Sequence, residues 1–233
     1  MKSWITNTKQ NKIHRLKCLR CNCYIISNGD NHVLVDTSIK MEKRILLKSL
    51  SLLKIPKLNA IVLTHVHTDH VANVEQLRKQ FHCPVIVSEK ESYYLEQGFC
   101  SIPKGTTKLT KVSTDFLGRR EITFQRFEAC QSALRINDKF SLKEFGIDAF
   151  IISTPGHTEG SISIIVENNI AIVGDTMVRK INGNIYPPFA NRADLLKVTW
   201  ERLHKTKCKI FLPSHGKEIT RDSVAWNYKK HFK

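Results

Sequence analysis

The chain has 233 residues, with 37 Lys and Arg against 21 Asp and Glu, a formal net charge of +16 and 41% hydrophobic residues. That length fits one domain spanning 1–233 with an ample core. No apolar run is long enough for a signal peptide or a membrane span, which excludes secretion and membrane insertion and points to the cytoplasm.

Residues up to about Lys12 are polar and read as a mobile end or an edge strand. Leu16 to Ser27 and His32 to Asp36 read as two strands joined by the turn Asn28-Gly29-Asp30-Asn31. Cys18, Cys21 and Cys23 have the look of a metal knuckle, but no second pair follows to complete a tetrahedron. With an odd total of seven cysteines, reduced thiols acting as small packing residues are the simpler account. Asp36 closes the hairpin and reads equally as a turn cap or as a group orienting a ligand.

Leu46, Leu50 and Leu53 recur at helical spacing and predict a helix over Met41 to Leu53, ended by Pro56. Ala60-Ile61-Val62-Leu63 is a short buried strand, rich in β-branched residues. Thr64-His65-Val66-His67-Thr68-Asp69-His70 follows it, with three histidines in six residues of a chain holding ten. Such side chains are costly at the end of a buried strand unless a divalent metal binds them. His65 and His67, two apart in extended chain, point the same way. The helical protease pattern His-Glu-x-x-His is absent.

Val74, Leu77 and Phe81 mark a helix that starts at Asp69 and His70 and runs to about Gln80, aiming its N-terminus at the histidines. Pro84 to Val87 predicts a strand, and Glu89 to Gln97 a short helix. From Gly98 to about Phe145 the hydrophobic period fades. Gly105, Thr106, Thr107 and the run Arg119-Arg120-Glu121 suggest loops and short strands, either facing a substrate or filling space.

Strands return at Phe150 to Ser153, Ile162 to Val166 and Ile170 to Val173, the last two joined through Glu167-Asn168-Asn169. His157 lies in Thr154-Pro155-Gly156-His157-Thr158-Glu159-Gly160-Ser161. Asp175 lies in Val173-Gly174-Asp175-Thr176, and His215 in Leu212-Pro213-Ser214-His215-Gly216. Each follows a short apolar run and sits beside a glycine or a tight turn, where backbone can crowd a site. Between Asp175 and His215, Tyr186-Pro187-Pro188-Phe189 reads as a pocket wall or as a proline-stiffened connection. Leu196, Trp200 and Leu203 predict a helix facing the core. His14, His32, His82, His204 and His231 have no ligand company and read as surface residues.

His65-x-His67-x-Asp69-His70, followed in order by His157, Asp175 and His215, resembles the metallo-β-lactamase fold superfamily, closest to its glyoxalase II-like hydrolase branch. The resemblance runs from Asn22 to about Ile219. Ala72 and Ser214 stand where the family often has glycine, and neither departure removes a ligand. The resemblance implies a four-layer αββα sandwich of two mixed β-sheets, an α/β (α+β) fold with the metals at one edge. It implies one metal on His65, His67 and His157, a second on Asp69, His70 and His215, and Asp175 bridging them together with a hydroxide. The ions are zinc, with iron or manganese as alternatives, and Asp69 would position a metal or shuttle the proton.

Such a site hydrolyses without a protein nucleophile, and no Gly-x-Ser-x-Gly elbow is present. Retention of Asp175 argues against a true β-lactamase. Eighteen residues follow His215, too few for the helical C-terminal domain with which glyoxalase II binds a glutathione thioester. The expected substrate is a small ester, thioester or lactone, beside the apolar Tyr186, Pro187, Pro188 and Phe189. Alternatives are a mononuclear iron persulfide dioxygenase, a nuclease of the same fold, and a silent binding protein, the last disfavoured because every ligand is kept. Nucleic acid is disfavoured because the positive charges are scattered from Lys2 to Lys233, without an aromatic-interleaved cluster beside the ligands.

Overall fold

Apolar residues stand at both odd and even positions of the central strands, so these strands need cover on both faces. The computed structural model describes residues 4–107, 110–112, 125–131 and 133–233, and supplies that cover in four layers. One sheet contains β1 (Trp4–Asn7), β2 (Lys12–Lys17), β3 (Asn22–Asn28), β4 (Asn31–Val35), β5 (Ala60–Val62), β6 (Val85–Ser88) and β7 (Ala133–Ile136), in that spatial order. It is antiparallel up to β4 and parallel from β4 to β7. The other runs from β8 (Lys139–Ser141) through β9 (Ala149–Ser153), β10 (Ile162–Val166), β11 (Ile170–Gly174) and β12 (Ile210–Pro213) to β13 (Ile219–Thr220), with β11 and β12 parallel.

The alternation along each strand sorts side chains between layers. Ile26, Val35 and Val62 meet Ile151, Ile164 and Ile172 between the sheets. Leu34, Ile61 and Val85 face outward onto α1 (Lys43–Leu52), α3 (Val74–Phe81) and α4 (Glu89–Gln97), through Leu46, Leu50, Leu77 and Leu95. Ile165, Val173 and Phe211 face α5 (Leu196–Lys205) and α6 (Arg221–Phe232), through Trp200, Leu203 and Val224. This is the expected αββα sandwich. Among the described residues no helix is long and apolar enough to cross a membrane.

Three local expectations are corrected. Leu16 to Ser27 is not one strand: the chain reverses between Lys17 and Asn22, so that Leu16 pairs with Cys23. The Leu19 amide, donating to Glu42 Oε1 at 2.6 Å, anchors that reversal. The helix after the histidines is also interrupted. A single turn, α2 (Thr68–Val71), ends at Ala72, and α3 begins anew after Asn73. Fully buried Asn73 donates to the carbonyls of Thr37 (2.7 Å) and Ile39 (2.8 Å), which fixes the break. Third, His32 is buried rather than superficial, its Nδ1 2.8 Å from Ser27 Oγ across the β3–β4 hairpin. The short strands expected within residues 98–145 are present as β7 and β8, one in each sheet. The run Arg119-Arg120-Glu121 lies outside the described residues.

Glu167, in the left-handed turn between β10 and β11 (φ 47°), ties the two sheets at their far end. Its carboxylate accepts from the amides of Lys9 (2.8 Å), Gln10 (2.9 Å) and Asn11 (2.9 Å), from Asn11 Nδ2 and from the Thr8 hydroxyl. Burial pushes its pKa up, but these donors outweigh burial and hold it at about 2, against an ordinary 4.5. Glu167→Ala is expected to cost about 1–2 kcal/mol near neutral pH. Because the folded pKa is depressed, this contribution is present above pH 4.5 and is lost as pH falls through about 2. Urea titrations of both proteins at descending pH measure the converging stabilities.

Candidate metal centre

Four apolar strands end at one edge of the sandwich, and each delivers polar side chains just beyond its last buried residue. β5 leads into Thr64–His70, the β9–β10 loop carries His157, β11 ends at Asp175, and β12 leads to His215. The Ile162 amide donates to Thr64 O at 2.9 Å, joining the first two segments across the sheets. Gly174 has φ +54°, and a Cβ there would lie 2.8 Å from Thr64 Cβ, so only glycine lets the end of β11 approach the histidine segment.

The seven residues expected from the sequence converge. His157 Nε2 lies 3.1 Å from His65 Nε2 and 3.0 Å from His67 Nδ1. His215 Nε2 lies 3.3 Å from both Asp69 Oδ2 and Asp175 Oδ2, and His70 Nε2 lies 3.7 Å from both Asp69 Oδ2 and Asp175 Oδ1. Asp175 Oδ2 is also 3.7 Å from His157 Nε2, so this carboxylate stands between the two groups. Within each of the sets His65/His67/His157, His65/His70/Asp175 and Asp69/His70/His215, the ligand atoms lie within 4.8 Å of one another.

The donor set fits divalent ions. His67 Nε2, His70 Nε2 and Asp175 Oδ1 are buried without a hydrogen-bond partner, a costly state for polar atoms in a protein interior. A bound ion would relieve it for His70 and Asp175, while His67 turns Nδ1 toward His157.

Surrounding hydrogen bonds select which nitrogen faces the centre. Asp36 Oδ2 is 2.8 Å from His70 Nδ1, so Nδ1 donates there and Nε2 is the nitrogen turned toward the centre. Asp36 also accepts from the Thr64 amide and hydroxyl, each at 2.8 Å, and Thr64 Oγ1 lies 3.1 Å from His65 Nδ1. His157 Nδ1 donates to Phe189 O at 2.9 Å, which turns its Nε2 inward. Of the two readings of Asp36, orientation of a ligand is the one observed. Its left-handed backbone, φ 61°, is strain an Asp tolerates at such a position.

The two halves differ in charge demand. Burial, then the neighbouring imidazoles, hold His65 well below the ordinary histidine pKa; burial and His157 push His67 to about 3. Burial also lowers His157. These three present neutral lone pairs. Burial acts the same way on His70 and His215, but nearby carboxylates outweigh it and raise them to about 10 and about 11. Burial favours the neutral acid at Asp69 and Asp175, yet the pull of His70 and His215 keeps both below the usual carboxylate range. The second half therefore calls for positive charge.

A cleft of about 330 Å³ opens on the centre, walled by Cys100, Pro103, Val178, Pro188 and Phe189. Part of the 98–145 region thus faces the site: the Thr106 amide bonds Pro188 O at 2.9 Å, and the Ala190 amide bonds Lys104 O at 2.8 Å. The expected aromatic wall is only half present. Tyr186 turns away into the helical layer, its ring centroid 4.7 Å from His231 and 5.9 Å from Phe232, and Pro187 is buried.

Two contributors were missed from sequence. Asn22 clamps the His215 segment, donating Nδ2 to Pro213 O (3.1 Å) and Gly216 O (2.9 Å), with its amide 2.7 Å from Ser214 O. Buried Glu91 accepts from the Val66 amide at 2.8 Å. Nothing in its sequence neighbourhood separates it from Glu89 and Glu96 of the same helix.

The sequence profile of the metallo-beta-lactamase superfamily matches residues 16–215. A probable metallo-hydrolase of Methanocaldococcus jannaschii is 30% identical over 219 residues, covering 91% of this chain and 94% of that protein. Among solved structures, an archaeal metallo-beta-lactamase superfamily protein from Sulfolobus tokodaii has a TM-score of 0.69 at 20% identity, covering 95% of this chain and 86% of its own. A protein solved in a di-iron-bound form has a TM-score of 0.66 at 22% identity, covering 91% of this chain and 95% of its own.

Proposed function

The chain belongs to the metallo-beta-lactamase superfamily, and we infer that it is a hydrolase holding two divalent ions and cleaving a small ester, thioester or lactone. His65, His67 and His157 would hold one ion, Asp69, His70 and His215 the other, with Asp175 shared. The observation that carries this reading is Asp175, whose two oxygens lie within 3.7 Å of nitrogens from both groups. A retained, shared carboxylate also supports the glyoxalase II-like branch over a true β-lactamase. Zinc suits this ligand set, with iron or manganese as alternatives, and the di-iron neighbour supports two ions rather than one. When bound, the ions supply Lewis acidity and acidify water at neutral pH.

The chain's own residues do the rest. Asp36, Thr64 and Phe189 O fix the tautomers of His70, His65 and His157. Asp69, with a third of its side chain open to the cleft and Oδ2 3.3 Å from His215 Nε2, takes the proton of the attacking water and returns it to the leaving group. Pro188 and Phe189 seat a compact organic group and exclude water. We read residues 1–233 as one domain, and the burial of all seven cysteines without a disulfide supports a reducing, cytoplasmic setting.

Purified protein is expected to contain two equivalents of transition metal by elemental analysis. It should turn over thioesters or lactones on a panel that also holds phosphodiesters, RNA and DNA at two salt concentrations. A single iron with oxygen uptake on a persulfide overturns the reading in favour of a dioxygenase. Cleavage of RNA alone, with affinity falling steeply as salt rises, overturns it in favour of a nuclease.

A further inference from the structure

We propose that Glu91 is a positioning residue that locks the His65/His67/His157 half-site by clamping its two ligand-bearing segments to one carboxylate. Val66, between His65 and His67, donates its amide to Glu91 Oε2 at 2.8 Å. Gly160, three residues beyond His157, donates its amide to Glu91 Oε1 at 3.2 Å. One rigid, bidentate acceptor at the start of α4 therefore spans two segments 90 residues apart in the chain, measured from His67 to His157.

Glu91 differs from the other acids of its helix. Glu89 and Glu96 pair with Arg135 at the surface, whereas Glu91 is 3% exposed and makes no ion pair among the described residues. Burying a carboxylate without a cation is unfavourable and persists only where its hydrogen bonds, or positive charge beyond them, offset the cost. Both amides it accepts belong to segments that hold ligands. The packing leaves no room for drift, because a Cβ on Gly160 would lie 2.5 Å from Glu91 Cγ. With Val66 N and Gly160 N fixed, the nitrogens of His65, His67 and His157 stay about one ion's coordination sphere apart, and the metal meets a preformed site.

This inference rests on the metal-binding reading above, and its test separates the two. Glu91→Gln keeps shape but loses charge and one acceptor; Gly160→Ala displaces the carboxylate while leaving its charge. Glu167→Gln, remote from the centre, controls for lost stability alone. Metal affinity is read by competition with a chromogenic chelator, and ligand geometry by the visible bands of the Co(II)-loaded proteins. Glu91→Gln and Gly160→Ala should weaken the metal held by His65, His67 and His157 about 10- to 100-fold and shift the Co(II) bands. In turnover, kcat should fall with KM little changed, and the control should show none of these effects. Unaltered affinity and Co(II) bands in both variants, with only a lowered melting temperature, overturn the proposal. Wild-type protein that takes up no metal overturns instead the reading on which it rests.

Discussion

Asp175→Ala is expected to reduce kcat/KM by about 10³-fold or more, close to 4 kcal/mol of transition-state stabilisation, while the protein remains folded. Among the described residues, Asp175 is the one carboxylate within 3.7 Å of His70, His157 and His215 together. In the proposed two-ion centre its negative charge would offset repulsion between adjacent dications, which no neighbouring side chain among the described residues duplicates in that position. The ion on Asp69, His70 and His215 should be the one lost, since it sits in the half with the more exposed ligands, His215 at 29% and Asp69 at 33%. Metal analysis should fall from two equivalents toward one. Asp175→Asn should retain packing yet resemble Ala in activity, because a neutral amide cannot balance the charge. Full activity with two ions bound in Asp175→Ala would show that this carboxylate has no bridging role.

Trp200→Ala is expected to destabilise the fold by about 3–5 kcal/mol, the cost of removing a large, fully enclosed aromatic. Trp200 is 0% exposed and sits in the layer between α5 and the outer face of β11 and β12. Its indole N–H donates to Thr176 O at 3.0 Å, one residue past Asp175. From the residue before it, Thr199 Oγ1 donates to Pro155 O, beside the His157 turn. The helix thus supports two ligand segments from behind. Trp200→Phe keeps most of the burial and loses the indole bond, so it should cost less stability, about 1–2 kcal/mol, and weaken metal retention out of proportion to that loss. Chemical denaturation gives the first quantity and chelator competition the second. Equal metal affinity in Trp200→Phe and wild type would confine Trp200 to the core.

The centre was legible because each ligand is announced locally. A buried apolar strand that runs into His or Asp is unusual chemistry, and four such stops appear along this chain, three of them beside glycine. The short helix Glu89–Gln97 also appears as expected and ends at Gly98 with φ 68°. Where expectation failed, the deciding partner lay far along the chain. Asn73 breaks a helix by bonding residues 37–39. Glu42 anchors a reversal at Leu19. Tyr186 finds its aromatic neighbours in α6, more than forty residues later.

The sequence by itself therefore determined most strands and helices, the seven candidate ligands and the family, since periodicity and ligand spacing are properties of short segments; the two-sheet architecture followed from the family resemblance those ligands carry. Only the tertiary structure decided which nitrogen of each histidine faces the centre, that Asp36 orients His70 rather than merely capping a turn, that Asp175 stands between the two groups, and that Glu91 holds the first group together. Hydrogen bonds act over about 3 Å, and whether two residues lie that close is settled by how the sheets pack, which no local pattern records.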